Sequence, residues 1–380
     1  MIVGAGIGGP VLAAWLQRIG WDVVVAEARA SVALGAGAFL GVAPNGMRVL
    51  EALGMAADVA ERGHPCREFT FSNGAGRRIG CIDRSADPRV FGWPLTMIRR
   101  SDLHAVLAEM LEERGTRIAF GHKLVGIRQG ARVEAHFENG ARIEADLLIG
   151  CDGLRSKTRA LCFPECPPPH FTGLLDVGGF ARVQGLPFPP GENHMVFGRR
   201  AFFGAFTTPD GETWWFHNGP EGEGSQRERL LDLHRDDPEW IGELIAATPE
   251  VLGPWPIHEL ERVPVWSRER VGLLGDAAHA MSPSAGQGAS LAMEDAMVLA
   301  QCLRDVPDVV EALRTFERLR RPRVDAIFRE ARRQSNRKAP GPVASWFRDR
   351  LLPMLLRFGA AAQTRSYAYH VDWESRVTTA

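Results

Sequence analysis

The order of apolar and polar positions along this 380-residue chain switches repeatedly between the period of a strand and the period of a helix. Ile2-Val3 ends a short apolar run, Gly4, Gly6 and Gly9 follow, and apolar residues continue in a helical pattern to about Ile19. Residues 21–28 (WDVVVAEA) form a second apolar run of strand length. Strand, glycine turn, helix and strand in that order are the grammar of a parallel sheet with crossover helices. Leu103, Val106, Leu107, Met110 and Leu111 share one face of a helix predicted over 101–114, with Ser101 as its cap and Gly115 as its stop. Residues 123–145 alternate in short strands around Asn139-Gly140, a two-residue hairpin signal, and 146–150 (DLLIG) reads as another buried strand.

Between residues 166 and 270 the texture changes to prolines, glycines and aromatics, with strands predicted at 176–183, 194–198, 202–207 and 213–217. This stretch reads as a β-rich insert that roofs a pocket. Parallel-sheet grammar resumes at 271–276, followed by helical patterns over 285–303 and 309–337, the latter broken or kinked at Pro322. In that last helix Leu313, Phe316, Leu319, Val324, Ile327 and Phe328 are expected to pack inward while the many arginines are solvated.

Three polar interruptions carry candidate chemistry. In GAGIGG (4–9), Gly4 suits a tight turn, Gly6 lets backbone approach a pyrophosphate, and Gly9 lets helix and strand pack closely. A phosphate would then sit at the helix N-terminus, where free N–H groups and the dipole favour an anion. Glu27 ends the second strand, at the distance where an acid binds ribose hydroxyls. The second interruption, Asp152-Gly153 followed by Ser156 and Arg159, reads in isolation as a capped turn. The third, VGLLGDAAHAMSPSAGQGASLAMEDA from Val271, puts Asp276 at the carboxyl end of a strand, where open α/β sheets bind ligands, although an Asp there also suits a helix cap. Gly286 and Gly288 precede a helix, so their bare amides can approach a ligand and stabilise negative charge.

Taken together, the three motifs resemble those of the class A flavin monooxygenases, the para-hydroxybenzoate-hydroxylase-like family, over essentially residues 1–340. The family pattern GDAAHxxxPxxGQGxNxxxxDA is matched at Gly275, Asp276, Ala277, Ala278, His279, Pro283, Gly286, Gln287, Gly288, Asp295 and Ala296, with Ser290 where Asn is commoner. The resemblance implies an α/β chain whose Rossmann-like FAD-binding domain is discontinuous (1–165 and 271–337), with a β-sheet-rich substrate domain inserted (166–270) and a helical C-terminal segment (338–380). It implies FAD lying across the first domain. Gly4, Gly6, Ile7, Gly8 and Gly9 would take the pyrophosphate, Glu27 and Ala28 the adenosine ribose, and Leu124 the adenine by its backbone. Arg100 would lie near the phosphates and Asp276 at the ribityl chain. Pro283, Gly286, Gln287, Gly288 and Ala289 would lie beside the flavin ring, and Asp152 beside both FAD and a nicotinamide cofactor. The activity implied is a monooxygenase that consumes NADPH or NADH and transfers one oxygen atom of O2, through a flavin hydroperoxide, to a small aromatic or polycyclic molecule. In that setting His279 reads as a structural hydrogen-bonding residue rather than an acid–base catalyst.

For the substrate pocket the alternation in the insert suggests Trp215, His217 and Phe206, with Arg182, His194 and Pro283 as further candidates. The aromatics read equally well as core between sheets. His217, His194 or Arg182 would orient a substrate hydroxyl, because the only tyrosines, Tyr367 and Tyr369, lie near the C-terminus, far from the insert in sequence. A flavin-dependent halogenase would carry Trp-x-Trp-x-Ile-Pro, which PWPIHE at 254–259 does not match. A reductase or oxidase of the same fold, without oxygen insertion, is the alternative.

Composition adds exclusions. A formal net charge of -1 provides no global field for nucleic acid or an anionic membrane, and no apolar run reaches the length of a membrane span. The apolar start of the chain lacks a basic n-region, so it does not read as a signal peptide. Six cysteines without framework spacing read as reduced thiols rather than disulfides or metal ligands. Together these predict a cytoplasmic protein with no metal.

Overall fold

The computed structural model describes residues 1–31, 37–222, 225–260, 262–283, 286–335 and 360–378. At its centre Ile2–Val3 pairs in parallel with Val25–Ala26 on one side and Leu148–Gly150 on the other. Val271–Leu273 extends this ladder past Leu148–Gly150, and Ile118–Ala119 extends it past Val25–Ala26. Ser267–Arg268 closes one edge in the antiparallel sense, making six strands. Both faces of the central strands are covered, which is why their sequences are apolar runs rather than alternations. The second strand is shorter than the run 21–28 because Trp21 N–H closes the preceding helix by donating to the Leu16 carbonyl at 3.0 Å.

Helix Gly8–Arg18, buried continuously from Gly8 to Leu16, packs against helix Gly288–Asp305, in which every residue from Ser290 to Leu303 is buried. A helix covered all round is a central one. The expected start of this helix at Ala285 lies outside the described residues. The helix Arg100–Glu113 forms as anticipated, but Ser101 does not cap it. Arg99 occupies the cap position and Ser101 Oγ instead donates to Asp102 at 3.2 Å. The Asn139-Gly140 hairpin joins Val133–Phe137 to Arg142–Ala145, with Gly140 at φ 83°.

A second, seven-stranded sheet forms the roof. Its order is Leu252–Glu259, His170–Ala181, Thr213–Pro220, Phe202–Thr207, Glu192–Phe197, Glu68–Asn73 and Arg78–Asp83. The last two strands come from the first 165 residues, and Glu68–Asn73 joins Glu192–Phe197 in parallel. Helices Gln226–Leu233 and Glu239–Ala247 cover one face of this sheet through Leu230, Ile241, Leu244 and Ile245, which pack on Val177, Phe203 and Trp215. The opposite face looks onto the parallel sheet across a cleft.

The helix Val309–Ser335 runs on through Pro322 instead of breaking. Leu313, Phe316, Val324 and Ile327 pack inward as expected, whereas Leu319 is exposed. Arg320, expected to be solvated, is completely buried. Its guanidinium donates to Asp295 Oδ1 and Glu294 Oε2, each at 2.7 Å, and Arg323 donates to both oxygens of Glu294 at 2.6 Å. The second oxygen of Asp295 lies 2.6 Å from His279 Nε2. This ion cluster anchors the helix on both sides of Pro322. Of the expected C-terminal segment, residues 338–359 and 379–380 lie outside the described residues; 360–368 are helical.

The cluster predicts acid sensitivity. Burial alone would push the Asp295 carboxyl up, but His279 and Arg320 outweigh it and hold it at about 2, below the ordinary 3.8. A depressed carboxylate stabilises the fold fully above its unfolded pKa, and that contribution fades as pH falls from about 4 towards 2. The loss amounts to about 2 kcal/mol. Urea midpoints measured across this window should fall in the native chain, and the Asp295→Asn variant, already weaker, should show a flatter dependence. An equal pH slope in both would contradict the assignment.

Candidate active site

Between the two sheets lies one continuous cleft of about 1470 Å³. Single-ligand pockets span roughly 300–1,000 Å³, so this volume suits a dinucleotide together with a second molecule. Three turns at the carboxyl ends of Ile2–Val3, Leu148–Gly150 and Val271–Leu273 form its floor.

The first turn is built by glycine. Gly4 takes φ 105°, and a Cβ there would lie 2.5 Å from the Cys151 carbonyl oxygen. A Cβ on Gly9 would lie 2.0 Å from the Gly4 carbonyl oxygen, so Gly9 closes helix onto strand and, alone among the expected cofactor residues, does not line the cleft. Gly6 has nothing within 4 Å of the place its Cβ would occupy, so its backbone faces open cleft. Ile7 and Gly8 also line it. At the end of the second strand the buried Glu27 carboxylate accepts Ala5 N–H at 2.8 Å and Arg29 N–H at 2.9 Å, clamping the turn while still bordering the cleft beside Ala28. Leu124 lines the same end. Arg100, first residue of its helix, extends into the cleft with its stem against Gly37. Burial pushes its guanidinium pKa down, with Asp276 opposing. One turn on, burial and then Arg100 and Arg29 push His104 down to about 4, leaving it neutral near pH 7.

The second turn combines both readings of Asp152. Its carboxylate accepts Ser156 Oγ at 2.5 Å and the Thr158 N–H at 2.8 Å, while Ser156 caps the helix Lys157–Cys162 by accepting Arg159 N–H at 2.9 Å. Asp152 is thus the knot of a capped turn and also part of the cleft wall. Arg159, which the sequence offered only as part of that capped turn, is buried and donates to the Leu154 carbonyl at 2.6 Å and the Ala277 carbonyl at 2.8 Å. It ties the second turn to the third.

In the third turn Gly275 takes φ 62° and Asp276 stands exposed in the cleft. Pro283, Gly286, Gln287, Gly288 and Ala289 line the cleft beside it. Where a Cβ on Gly288 would sit, the closest atom is Asp276 Oδ1 at 4.0 Å, so the cleft side of this loop is open. Ser290, which replaces the commoner Asn, accepts Ala43 N–H at 3.1 Å and fits against Gly46, where a Cβ would lie 2.6 Å from the Ser290 hydroxyl. His279 is buried against Asp295, away from the cleft lining. Bare backbone at Gly6 and Gly288, an acid at either end, and a cavity of this volume fit an extended dinucleotide.

At the far end the roof presents Met195, Phe197, Phe202, Phe216, Asn218 and Trp255 to the cleft. Of the six substrate-pocket candidates, only Pro283 lies in the lining. Trp215 and His217 point the other way. Trp215 stacks on Phe203 and donates to Thr248 Oγ1 at 2.8 Å; His217 Nδ1 lies 2.8 Å from His234 Nε2, which leads to Asp237. The alternation was legible, but the two helices that cover the Trp215 face decide which side is core. Phe206 shares the cleft-side face yet is sealed among Trp214, Leu95 and Met97. His194 is held on the outer side by Ser72, Glu192 and the Phe188 ring. Arg182 pairs with Asp210 on the surface. Conversely, Tyr367, remote in sequence, borders the cleft, with its hydroxyl accepting Gln363 Nε2 at 2.9 Å. Burial raises its pKa, so it is no base at neutral pH. Among the described residues there is no cluster of metal-ligating side chains, and no helix is long and apolar enough to cross a membrane.

Comparison with known proteins agrees with this geometry. The sequence family described as "FAD binding domain" matches residues 1–168 and 242–331. The aurachin C monooxygenase/isomerase of Stigmatella aurantiaca is 31% identical over 96% of each chain. The 6-hydroxynicotinate 3-monooxygenase of Pseudomonas fluorescens is 32% identical over 80% of this chain and 82% of its own. Among solved structures, Klebsiella pneumoniae HpxO complexed with FAD and uric acid superposes with a TM-score of 0.84, at 25% identity, over 96% of each chain. A cleft shaped for a dinucleotide, a matching cofactor domain and relatives that are monooxygenases along nearly their full length lead to one assignment: the chain belongs to the FAD-binding-domain family, as an FAD-dependent class A flavin monooxygenase.

Proposed function

We propose that the protein takes electrons from NADPH or NADH and inserts one oxygen atom of O2 into an aromatic or polycyclic small molecule held at the Phe-lined end of the cleft. The observation that carries this reading is the single cleft joining a glycine-built cofactor floor to an aromatic roof. FAD, when bound, supplies the redox and oxygen chemistry, and the protein supplies binding, orientation and exclusion of water. In this reading Gly4, Gly6, Ile7 and Gly8 receive the pyrophosphate at a helix N-terminus, while Gly9 holds helix to strand. Glu27, Ala28 and Leu124 hold the adenosine end, Arg100 lies by the phosphates and Asp276 by the ribityl hydroxyls. The amides of Gly286–Ala289 offset negative charge on the reduced ring. Asp152 frames the approach of the nicotinamide. No side chain is needed as a nucleophile. Phe202, Phe216, Met195 and Trp255 would press a planar ring against the flavin and keep water out, and Asn218 would orient it.

The test is turnover under 18O2 with NADPH or NADH and a panel of hydroxylated rings. One labelled oxygen in the product per NAD(P)H consumed is expected for the right ring; peroxide as the sole product with every ring would favour the oxidase alternative. The roof makes its own prediction. A Cβ on Gly204 would lie 2.2 Å from Phe216 Cε1 and 3.0 Å from Met195 Sδ. Gly204→Val should therefore force Phe216 and Met195 into the cleft, raising KM for the ring substrate by roughly tenfold, or about 1.4 kcal/mol, with FAD content unchanged. An unaltered KM would place the substrate elsewhere.

A further inference from the structure

The loop Gly286–Ala289 is tied from behind by a side chain that no motif includes. Asn45, in helix Pro44–Ala52, is 2% exposed, and its Nδ2 donates to Gln287 Oε1 at 3.0 Å and to Glu294 Oε1 at 2.6 Å. Glu294 is itself fixed by Arg320 and Arg323, and the neighbouring Asp295 accepts the Gly275 N–H at 3.3 Å and pairs with His279. One buried ion cluster therefore grips both the turn that carries Asp276 and, through Asn45, the amide loop. Gln287 is 3% exposed and borders the cleft, and its side chain is held internally by Asn45. Among the described residues no other hydrogen bond reaches the Gln287 side chain, and its Nε2 is buried without a partner.

We propose that Asn45 is a positioning residue for the flavin: by holding Gln287 to Glu294 it sets where the 286–289 amides point, and so how strongly they favour the reduced, negatively charged ring. This rests on the reading that those amides face the flavin. Fixed donors stabilise charge because they need no reorganisation when it develops. A loop freed from its strut averages over orientations and loses part of that effect.

Three variants test it: Asn45→Leu, Gln287→Met and the double variant, with Gly288→Val as a check on the underlying reading. The readouts are the midpoint potential of bound FAD, its visible spectrum, FAD affinity by fluorescence, and thermal melts. Asn45→Leu and Gln287→Met are each expected to shift the potential to more negative values and alter the spectrum, and the double variant should do no more than the larger single change. Gly288→Val should weaken FAD binding by pushing a side chain into the cleft. If Gly288→Val impairs FAD while both strut variants, folded by their melts, keep the native potential and spectrum, the positioning role is overturned and the cradle stands. If Gly288→Val also leaves FAD unaffected, the cradle reading itself falls. Should Asn45→Leu fail to fold, Gln287→Met alone decides, since it removes the strut and leaves Glu294 paired.

Discussion

Replacing Arg320 by methionine is expected to lower the unfolding free energy by about 3–5 kcal/mol, the cost of leaving buried charges uncompensated. Arg320, Glu294 and Asp295 are each no more than 1% exposed, and among the described residues Arg320 alone bridges the two acids. Methionine fills much of the same volume, so the loss is electrostatic rather than a cavity effect. Glu294 keeps Arg323 and Asp295 keeps His279, which holds the loss to this range. The measurement is a urea melt of the FAD-loaded protein, with Arg318→Met, on a partly exposed arginine of the same helix, as comparison. Arg318 should cost within about 1 kcal/mol, as exposed pairs do. Equal losses for the two would mean that the cluster contributes no more than a surface pair.

The second large effect separates two glycines three residues apart. Gly9→Ala places a methyl 2.0 Å from the Gly4 carbonyl oxygen, a backbone atom that cannot move without disturbing the first strand. Overpacking of this kind costs about 1–3 kcal/mol or more, and the turn that would hold the pyrophosphate is displaced with it. The variant should purify without yellow colour and melt early. Gly6→Ala places its methyl where the protein has no atom within 4 Å, so the fold should keep its stability to within about 0.5 kcal/mol. The same methyl enters the proposed cofactor path and should weaken FAD binding by at least about tenfold, or 1.4 kcal/mol. Stability and FAD affinity measured side by side decide the matter. A Gly6→Ala protein that binds FAD normally would move the pyrophosphate away from this turn.

What the sequence by itself determined was the floor of the cleft. Glycine spacing, an acid at a strand end and apolar runs of strand length act over a few residues, and each has a local physical reason. A Cβ at Gly4 or Gly9 meets backbone, and Asp152 and Ser156 satisfy amides within one turn. These motifs were therefore readable without knowing what packs on them. The roof was not readable in this way. Alternation along Thr213–Pro220 separates Trp215 and His217 from Phe216 and Asn218 equally well in sequence, and only helices Gln226–Leu233 and Glu239–Ala247, by covering one face, turn the first pair into core and the second into cleft wall. Tertiary structure also decided the fate of the arginines. A run rich in basic residues is ordinarily a solvated face, and Arg320 departs from that because helix Gly288–Asp305 brings two acids to it from distant sequence. Tyr367 reaches the cleft for the same kind of reason, through the carbonyls of Tyr367 and Tyr369 accepting Arg48. Short-range sterics and hydrogen bonding wrote the cleft floor into consecutive residues; burial and charge pairing, which depend on what folds against what, settled the inner face of the roof and the buried ions.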